Sequence, residues 1–336
     1  MHMADALLSP AIGGAMTAVT LSIIGYSLRK ISNDNDFDEK NISLMGVMGA
    51  FVFAAQMINF TIPGTGSSGH IGGGILLAAI LGPYPALLTM TIILLIQALF
   101  FADGGLLALG CNIFNMGVCA CMFGYCCVFR PFIKGGLNAK KITAASILST
   151  VLGLQLGALC VVLETFASGV TELPFSTFLL LMQPIHLAIG FVEGVVTSMA
   201  LCYVYKARPE ILEHAKAGER VERLAPMKKL VVTFALLTLL AGCCLSLFAS
   251  SYPDGLEWSM ERVAGTAELV RSGAVYDVMD KIIGATAFMP DYAFGSGGVE
   301  SANVGTATAG LVGSAIVLVI TGAVGYAIAF HRRKNS

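Results

Sequence analysis

The sequence predicts an all-α polytopic membrane protein: a seven-helix bundle over residues 1–205, a cytoplasmic linker over 206–229, and a two-helix hairpin over 230–336 carrying an extracytoplasmic loop. Three observations predict it. Only 12% of the 336 residues are charged, against about 25% in an ordinary soluble domain, while 56% are hydrophobic and the mean hydropathy is +0.80. Apolar runs near the ~20 residues that cross a bilayer recur along the whole chain. Lys and Arg fall into short clusters that one topology places on a single, cytoplasmic side. The net charge of -1 implies no nucleic-acid partner; membrane lipid is the expected surrounding.

The first span, 10–30, ends in Arg29-Lys30, and a polar link with Asp34, Asp36 and Asp38 follows. A second span covers about 43–60 and leads into a glycine-rich stretch, Gly64 to Gly74, that contains His70. The run 71–101 is broken by Gly82-Pro83-Tyr84-Pro85, because proline stops or kinks a helix. Arg130, Lys134, Lys140 and Lys141 share a side with Arg29 and Lys30 only if this run crosses twice, as a short 71–82 and a longer 84–101. Spans at 110–130, 142–167 and 176–205 complete the bundle. The basic stretch Lys206 to Lys229, with Arg208, Arg220 and Arg223, reads as a surface helix and linker. Residues 230–249 span again. The stretch 250–304, carrying Asp254, Glu257, Glu268 and Asp291, belongs outside, and a last span at 306–330 ends in His331-Arg332-Arg333-Lys334 inside. The result is about nine helices with the N-terminus outside and the C-terminus inside. No cleavable signal peptide is expected, since Asp5 interrupts the start and no basic n-region precedes it.

Chemistry concentrates at Met1-His2 and His70. The α-amine, the amide nitrogen of His2 and the nearer imidazole nitrogen of His2 lie on consecutive covalent paths. Amine and amide close a five-membered chelate ring; amide and imidazole close a six-membered one. Three nitrogens are then held in a plane with one corner open, and tetragonal nitrogen sites suit Ni(II) and Cu(II). A second imidazole would fill the corner, and His70 in its glycine-rich loop is the candidate. Asp103, with Ser68 and Asn112, is placed to support such a site; Asp103 either caps a helix start or orients the His70 ring from behind. No Gly-Lys-Ser/Thr ends the glycine run, so this is no phosphate-binding P-loop, and no catalytic cofactor is expected.

Gln183, His186, Gly190, Glu193 and Thr197 recur at helical spacing and share one face. Ionisable groups at membrane depth are candidates for function; a hydrogen-bonded seam between helices is the plainer reading and is adopted here. Gly153-x-x-x-Gly157 and Gly190-x-x-x-Gly194 are expected to let helices approach closely. The nine Cys, Cys119 and Cys121 among them, lie in apolar runs without a C-x-x-C pair and are read as small hydrophobes.

Met1-His2-Met3-Ala4-Asp5, Ser67-Ser68-Gly69-His70-Ile71-Gly72-Gly73, Ala102-Asp103-Gly104-Gly105 and Leu109-Gly110-Cys111-Asn112 together resemble the CbiM/NikM family. These are the substrate-binding membrane components of energy-coupling-factor (ECF) cobalt and nickel importers. The resemblance implies a seven-helix substrate-binding bundle with the N-terminal segment tucked into its centre. It implies ligands at Met1, His2 and His70, and Co²⁺ or Ni²⁺ as cargo. It also implies a transmembrane coupling (T) component and ATPase (A) subunits as partners in a bacterial cytoplasmic membrane. Many members begin Met-His-Ile-Pro-Asp-Gly, whereas this chain has Met3-Ala4-Asp5-Ala6, which leaves the ligand positions intact. The family's commoner role in cobalamin synthesis leans toward cobalt. Pro253-Asp254-Gly255-Leu256-Glu257 is similar to the PDGLE module related to CbiN/NikN subunits, two-helix proteins with an extracytoplasmic loop. An ion-coupled secondary metal transporter with Glu193 as proton carrier, and a membrane metalloenzyme using His70, His186 and Glu193, are the alternatives.

If the amine is a ligand, adding one residue before Met1 moves His2 to position 3 and breaks the chelate. Purified protein with such an extension is expected to lose most of its bound metal, as measured by elemental analysis. Equal metal in the extended and native proteins would remove the amine from the site.

Overall fold

The computed structural model describes residues 1–33, 39–217, 228–267, 269–294 and 299–335. Asp34, Asp36 and Asp38 of the polar link, Arg220 and Arg223 of the linker, and Glu268 lie outside the described residues. In chain order the helices are α1 (Pro10–Ser32), α2 (Glu39–Gln56), α3 (Gly74–Leu81), α4 (Pro83–Phe101), α5 (Leu109–Ile133), α6 (Ala139–Ser168) and α7 (Phe175–Ala207). Then come α8 (Pro209–Ala217), α9 (Lys228–Cys243), α10 (Gly255–Ala264), α11 (Ala274–Thr286) and α12 (Val299–Asn335).

Among the described residues seven helices are long and apolar enough to cross a membrane: α1, α4, α5, α6, α7, α9 extended to Phe248, and α12. Of the two remaining expected spans, α2 has 18 residues but starts and ends earlier than 43–60, and α3, with 8 residues, is shorter than 71–82. The run taken as 43–60 leaves the helix at Gln56 and enters a two-stranded antiparallel hairpin, β1 (Phe60–Ile62) and β2 (Ser67–Gly69), with Thr61 opposite Ser68. Gly64 (φ +77) and Gly66 (φ +76) turn it through left-handed backbone that other residues avoid. This hairpin is the one departure from an all-α fold among the described residues. α3 has 8 residues, about 12 Å at 1.5 Å per residue, and every one of them is buried. So short a helix survives at membrane depth because protein, not lipid, surrounds its ends. It runs from the His70 loop toward α8, where Leu81 and Gly82 share a cavity with Ile211 and His214. Pro83 then opens α4, at a position where a missing N–H costs nothing.

Small residues bring the helices together, as the spacing predicts. A Cβ on Gly194 would lie 2.7 Å from Cα of Ile147, which locks α7 against α6. Gly153 and Gly157 face α5: a Cβ on Gly157 would meet the Asn115 carbonyl oxygen at 2.4 Å. The hairpin helices α9 and α12 both pack on α2. A Cβ on Gly313 would fall 2.1 Å from the Phe53 ring, and the Ser314 hydroxyl donates to Ala50 O at 3.0 Å. The connecting stretch forms a cover. α10 lies on α7 and β2, while α11 lies on α4, the Thr286 hydroxyl donating to Leu99 O at 2.7 Å. Outward faces are apolar and bare, Leu180 at 71% and Val319 at 68% exposed, as lipid-facing positions must be.

Candidate metal site

The segment before α1 is threaded into the bundle. Met3 donates its amide N–H to Asn112 Oδ1 (2.7 Å), and its carbonyl accepts from Asn112 Nδ2 (3.1 Å) and Gly105 N (3.0 Å). Asp5 accepts from Ala108 N at 2.9 Å. Gly105 has to be glycine here, since a Cβ would lie 1.7 Å from the Asp5 carboxylate. Ser9 and Pro10 then start α1, a cap followed by a residue preset for the first turn. Met3, Leu7 and Leu8 are fully buried. The cover closes from outside: Tyr276 OH donates to Leu8 O (2.8 Å) and Arg271 Nε to Ala6 O (3.3 Å).

This threading brings Met1, His2 and His70 together. The Met1 amine lies 3.2 Å from His70 Nε2. The His2 and His70 rings stack with centroids 5.3 Å apart and planes 13° from parallel. In the fused chelate the open corner is flanked by the amine and the imidazole. Two nitrogens bound to one metal at about 2.0–2.1 Å and at right angles lie about 2.9 Å apart, close to the observed amine–His70 spacing. Burial, and then the charge of the neighbouring amine, push both His2 and His70 down to about 3. The rings are therefore neutral at neutral pH, the form in which imidazole binds metal.

Carboxylates surround this core. His2 Nδ1 contacts Asp103 Oδ1 at 3.1 Å, and the other oxygen of Asp103 accepts from Tyr292 OH at 2.6 Å. The amine is ion-paired with Asp254 Oδ2. Asp254 Oδ1 meanwhile accepts from Leu256 N (2.7 Å) and Glu257 N (3.0 Å), and Glu257 returns a bond to Asp254 N (3.0 Å): a capping box that starts α10. Burial alone would raise Asp254, but the ammonium beside it prevails and holds the carboxyl well below the usual range. Glu257 is pushed up to about 7, by burial and then by Asp254.

The supporting residues fall differently from the expectation. Asp103 engages His2 rather than His70, because the Tyr292 hydroxyl and the threaded N-terminus converge on it. Asn112 clamps the backbone of Met3, its side chain bonding both the amide and the carbonyl. Ser68 holds the hairpin, its hydroxyl donating to Tyr252 O (2.8 Å) and its amide to Pro253 O (2.8 Å). Glu193 accepts from Gly73 N (2.8 Å) and so fixes the glycine run behind His70, while His186 Nδ1 lies 2.8 Å from Met182 O in its own helix. Glu193 fits the seam reading, whereas His186 bonds within its own helix and its Nε2 has no hydrogen-bond partner among the described residues. Among the described residues no three His, Cys, Asp or Glu side chains converge on a metal-sized centre. Asp254 is the residue that sequence reasoning missed: its capping box with Glu257 is legible, but nothing in the spacing pairs residue 254 with residue 1.

Removing one partner of a buried ion pair costs about 3–5 kcal/mol. Asp254→Asn keeps a good helix cap but not the charge. It is expected to raise the rate at which an amine-specific reagent modifies Met1 by about tenfold or more, read by mass spectrometry. An unchanged rate would mean that the ion pair does not hold the segment in place.

The arrangement has relatives. Residues 2–211 match the family described as the cobalt uptake substrate-specific transmembrane region, and residues 228–330 match the PDGLE domain. A protein of Archaeoglobus fulgidus named as a fused nickel transport protein, NikMN, is 30% identical over 333 residues, 99% of each chain. The fused nickel transport protein NikMN of Rhodobacter capsulatus is 30% identical over 277 residues, 78% of this chain and 76% of that one. The cobalt transport protein CbiM of Sorangium cellulosum is 30% identical over 233 residues, 67% of this chain and 99% of its own. A crystal structure of a transition metal transporter superposes with a TM-score of 0.55 at 32% identity, over 64% of this chain and 96% of that one. The chain therefore belongs to the CbiM/NikM family of cobalt and nickel transport components, with a PDGLE domain fused behind the family's transmembrane region.

Proposed function

We propose that this chain is the substrate-specific component of an ATP-driven ECF importer that captures Ni²⁺ or Co²⁺ at the outer face of a bacterial cytoplasmic membrane. The observation that carries the proposal is the Met1 amine 3.2 Å from His70 Nε2 with the His2 ring stacked alongside. The ligands are the amine of Met1, the amide and imidazole nitrogens of His2, and His70. In this reading the metal replaces two contacts: the amine gives up its proton and its pairing with Asp254, and the His2 ring turns Nδ1 from Asp103 to the metal. Relatives sharing the fused arrangement are named for nickel, which favours nickel over the cobalt that the family's commoner role suggests. A T component and A subunits supply the ATP-driven step. Residues 1–205 form the metal-binding unit, 206–229 the linker and 230–336 the accessory unit.

Cells expressing the chain with its T and A partners are expected to accumulate metal, and His70→Ala to abolish uptake and bound metal together. A chain cut after about residue 222 is expected to keep bound metal and lose uptake, because the accessory unit governs exposure of the site. Normal uptake by the His70→Ala chain would overturn the ligand assignment. Normal uptake by the cut chain would overturn the role of the accessory unit.

In this topology the cover over Met1 faces outward. Val270 is 93% exposed on that cover. With the native cysteines replaced, Val270→Cys is expected to react with a membrane-impermeant thiol reagent added outside intact cells. Labelling only after the membrane is opened would reverse the orientation and the capture mechanism with it.

A further inference from the structure

Between the bundle and the hairpin lies a cavity of about 430 Å³ whose floor is formed by His2 and His70. Asp103 from the bundle, and Asp254, Glu257 and Asp291 from the hairpin, supply carboxylates to its wall. No Lys or Arg among the described residues lines it. Two polar side chains on the wall are almost wholly enclosed yet incompletely partnered. Gln97 is fully buried and its Nε2 donates to Gln56 at 2.7 Å, while its Oε1 has no hydrogen-bond partner. The His2 side chain is 7% exposed and its Nε2 has none either. A buried carbonyl oxygen and a buried ring nitrogen left open at one cavity point to polar contents, since such atoms are ordinarily satisfied by protein or ordered water.

The size fits one kind of visitor. A divalent cation with six waters, at about 30 Å³ per water, occupies roughly 180 Å³, so the cavity holds the intact aquo ion with room to turn. The wall carboxylates can accept hydrogen bonds from the water bound to such an ion. Acidic walls in a recess of low-dielectric protein also concentrate cations.

We propose that this cavity is a loading vestibule: it holds the hydrated divalent cation in outer-sphere contact with Asp103, Glu257 and Asp291 before its waters are exchanged for the nitrogens of Met1, His2 and His70. The proposal rests on the reading of those three residues as ligands. It gives the hairpin a chemical task, because three of the four carboxylates on the wall, Asp254, Glu257 and Asp291, come from the hairpin.

The test uses the full chain, purified metal-free and mixed with Ni²⁺ in a stopped-flow instrument, following the absorbance of the metal-loaded site. The variant is Glu257→Gln with Asp291→Asn. Gln still closes the capping box, and Asn tolerates the positive φ of +52 at position 291. The association rate is expected to fall about tenfold or more at low salt. The gap should narrow as salt screens the walls, and the end-point spectrum should match that of the unaltered chain. Each single variant should give part of the effect. An unchanged rate overturns the vestibule; so does a changed end-point spectrum, which would place these carboxylates on the metal itself. His70→Ala separates the two readings. If it keeps the normal end-point spectrum, the ligand assignment fails; if it loses that spectrum while the carboxylate variant loads at the normal rate, the vestibule alone fails.

Discussion

An ammonium buried beside two imidazoles has to be held by something, and in this fold it is held by Asp254. The Met1 amine is almost wholly enclosed, its side chain 3% exposed, and the carboxylate that pairs with it comes from the far end of the chain. An isolated charge in such a place would cost several kcal/mol. The rest of the site follows from that constraint. The N-terminal segment must run inward, so Asn112 and Gly105 take up the backbone of Met3, and Asp5 takes up Ala108. The hairpin must reach over, so Ser68 donates to the carbonyls of its turn and the Thr65 carbonyl accepts from its Trp258.

Much of this was legible in the residues. The spans were readable because lipid leaves a helix no way to hide polar backbone, so each crossing announces itself as an apolar run. The break at Gly82-Pro83 was readable because glycine followed by proline is a strong signal for ending one helix and starting another. Met1 and His2 stand out because the rings they could close are a matter of covalent distance, and His70 because of its glycine-rich loop; the fold brings the three together. Ser68, Asp103 and Asn112 were picked as supporting residues, but their partners were not foreseeable. Which oxygen meets which nitrogen is decided by helix packing over tens of residues, and Asp103 turned to His2 only because Tyr292 approaches it from the hairpin. The hairpin β1–β2 was hidden where the expected second span gives way to the glycine-rich stretch, and its turn depends on two glycines with positive φ rather than on hydropathy.

Glu193 illustrates how a buried carboxylate at membrane depth can serve position rather than chemistry. It reaches across from α7 to the amide of Gly73, at the start of a helix whose every residue is buried. A negative charge or a strong acceptor at a helix N-terminus satisfies donors that the helix itself cannot. The same contact fixes the glycine run on which His70 sits, so the imidazole is aimed by a residue more than a hundred positions later.

The pairing of residue 1 with residue 254 also sets an order of assembly. Closing so long a loop carries an entropic cost that grows with the logarithm of its length, and contacts of such separation form late in folding. While the chain is being made, the first residues lack their counterion until the turn at Pro253 has been synthesised. The surroundings of Met1 are thus among the last parts of the molecule to take their final shape. In relatives where the two units are separate chains, the equivalent step would be a bimolecular meeting, and its rate would depend on how much of the second chain is present. Fusion turns that encounter into a property of the single polypeptide.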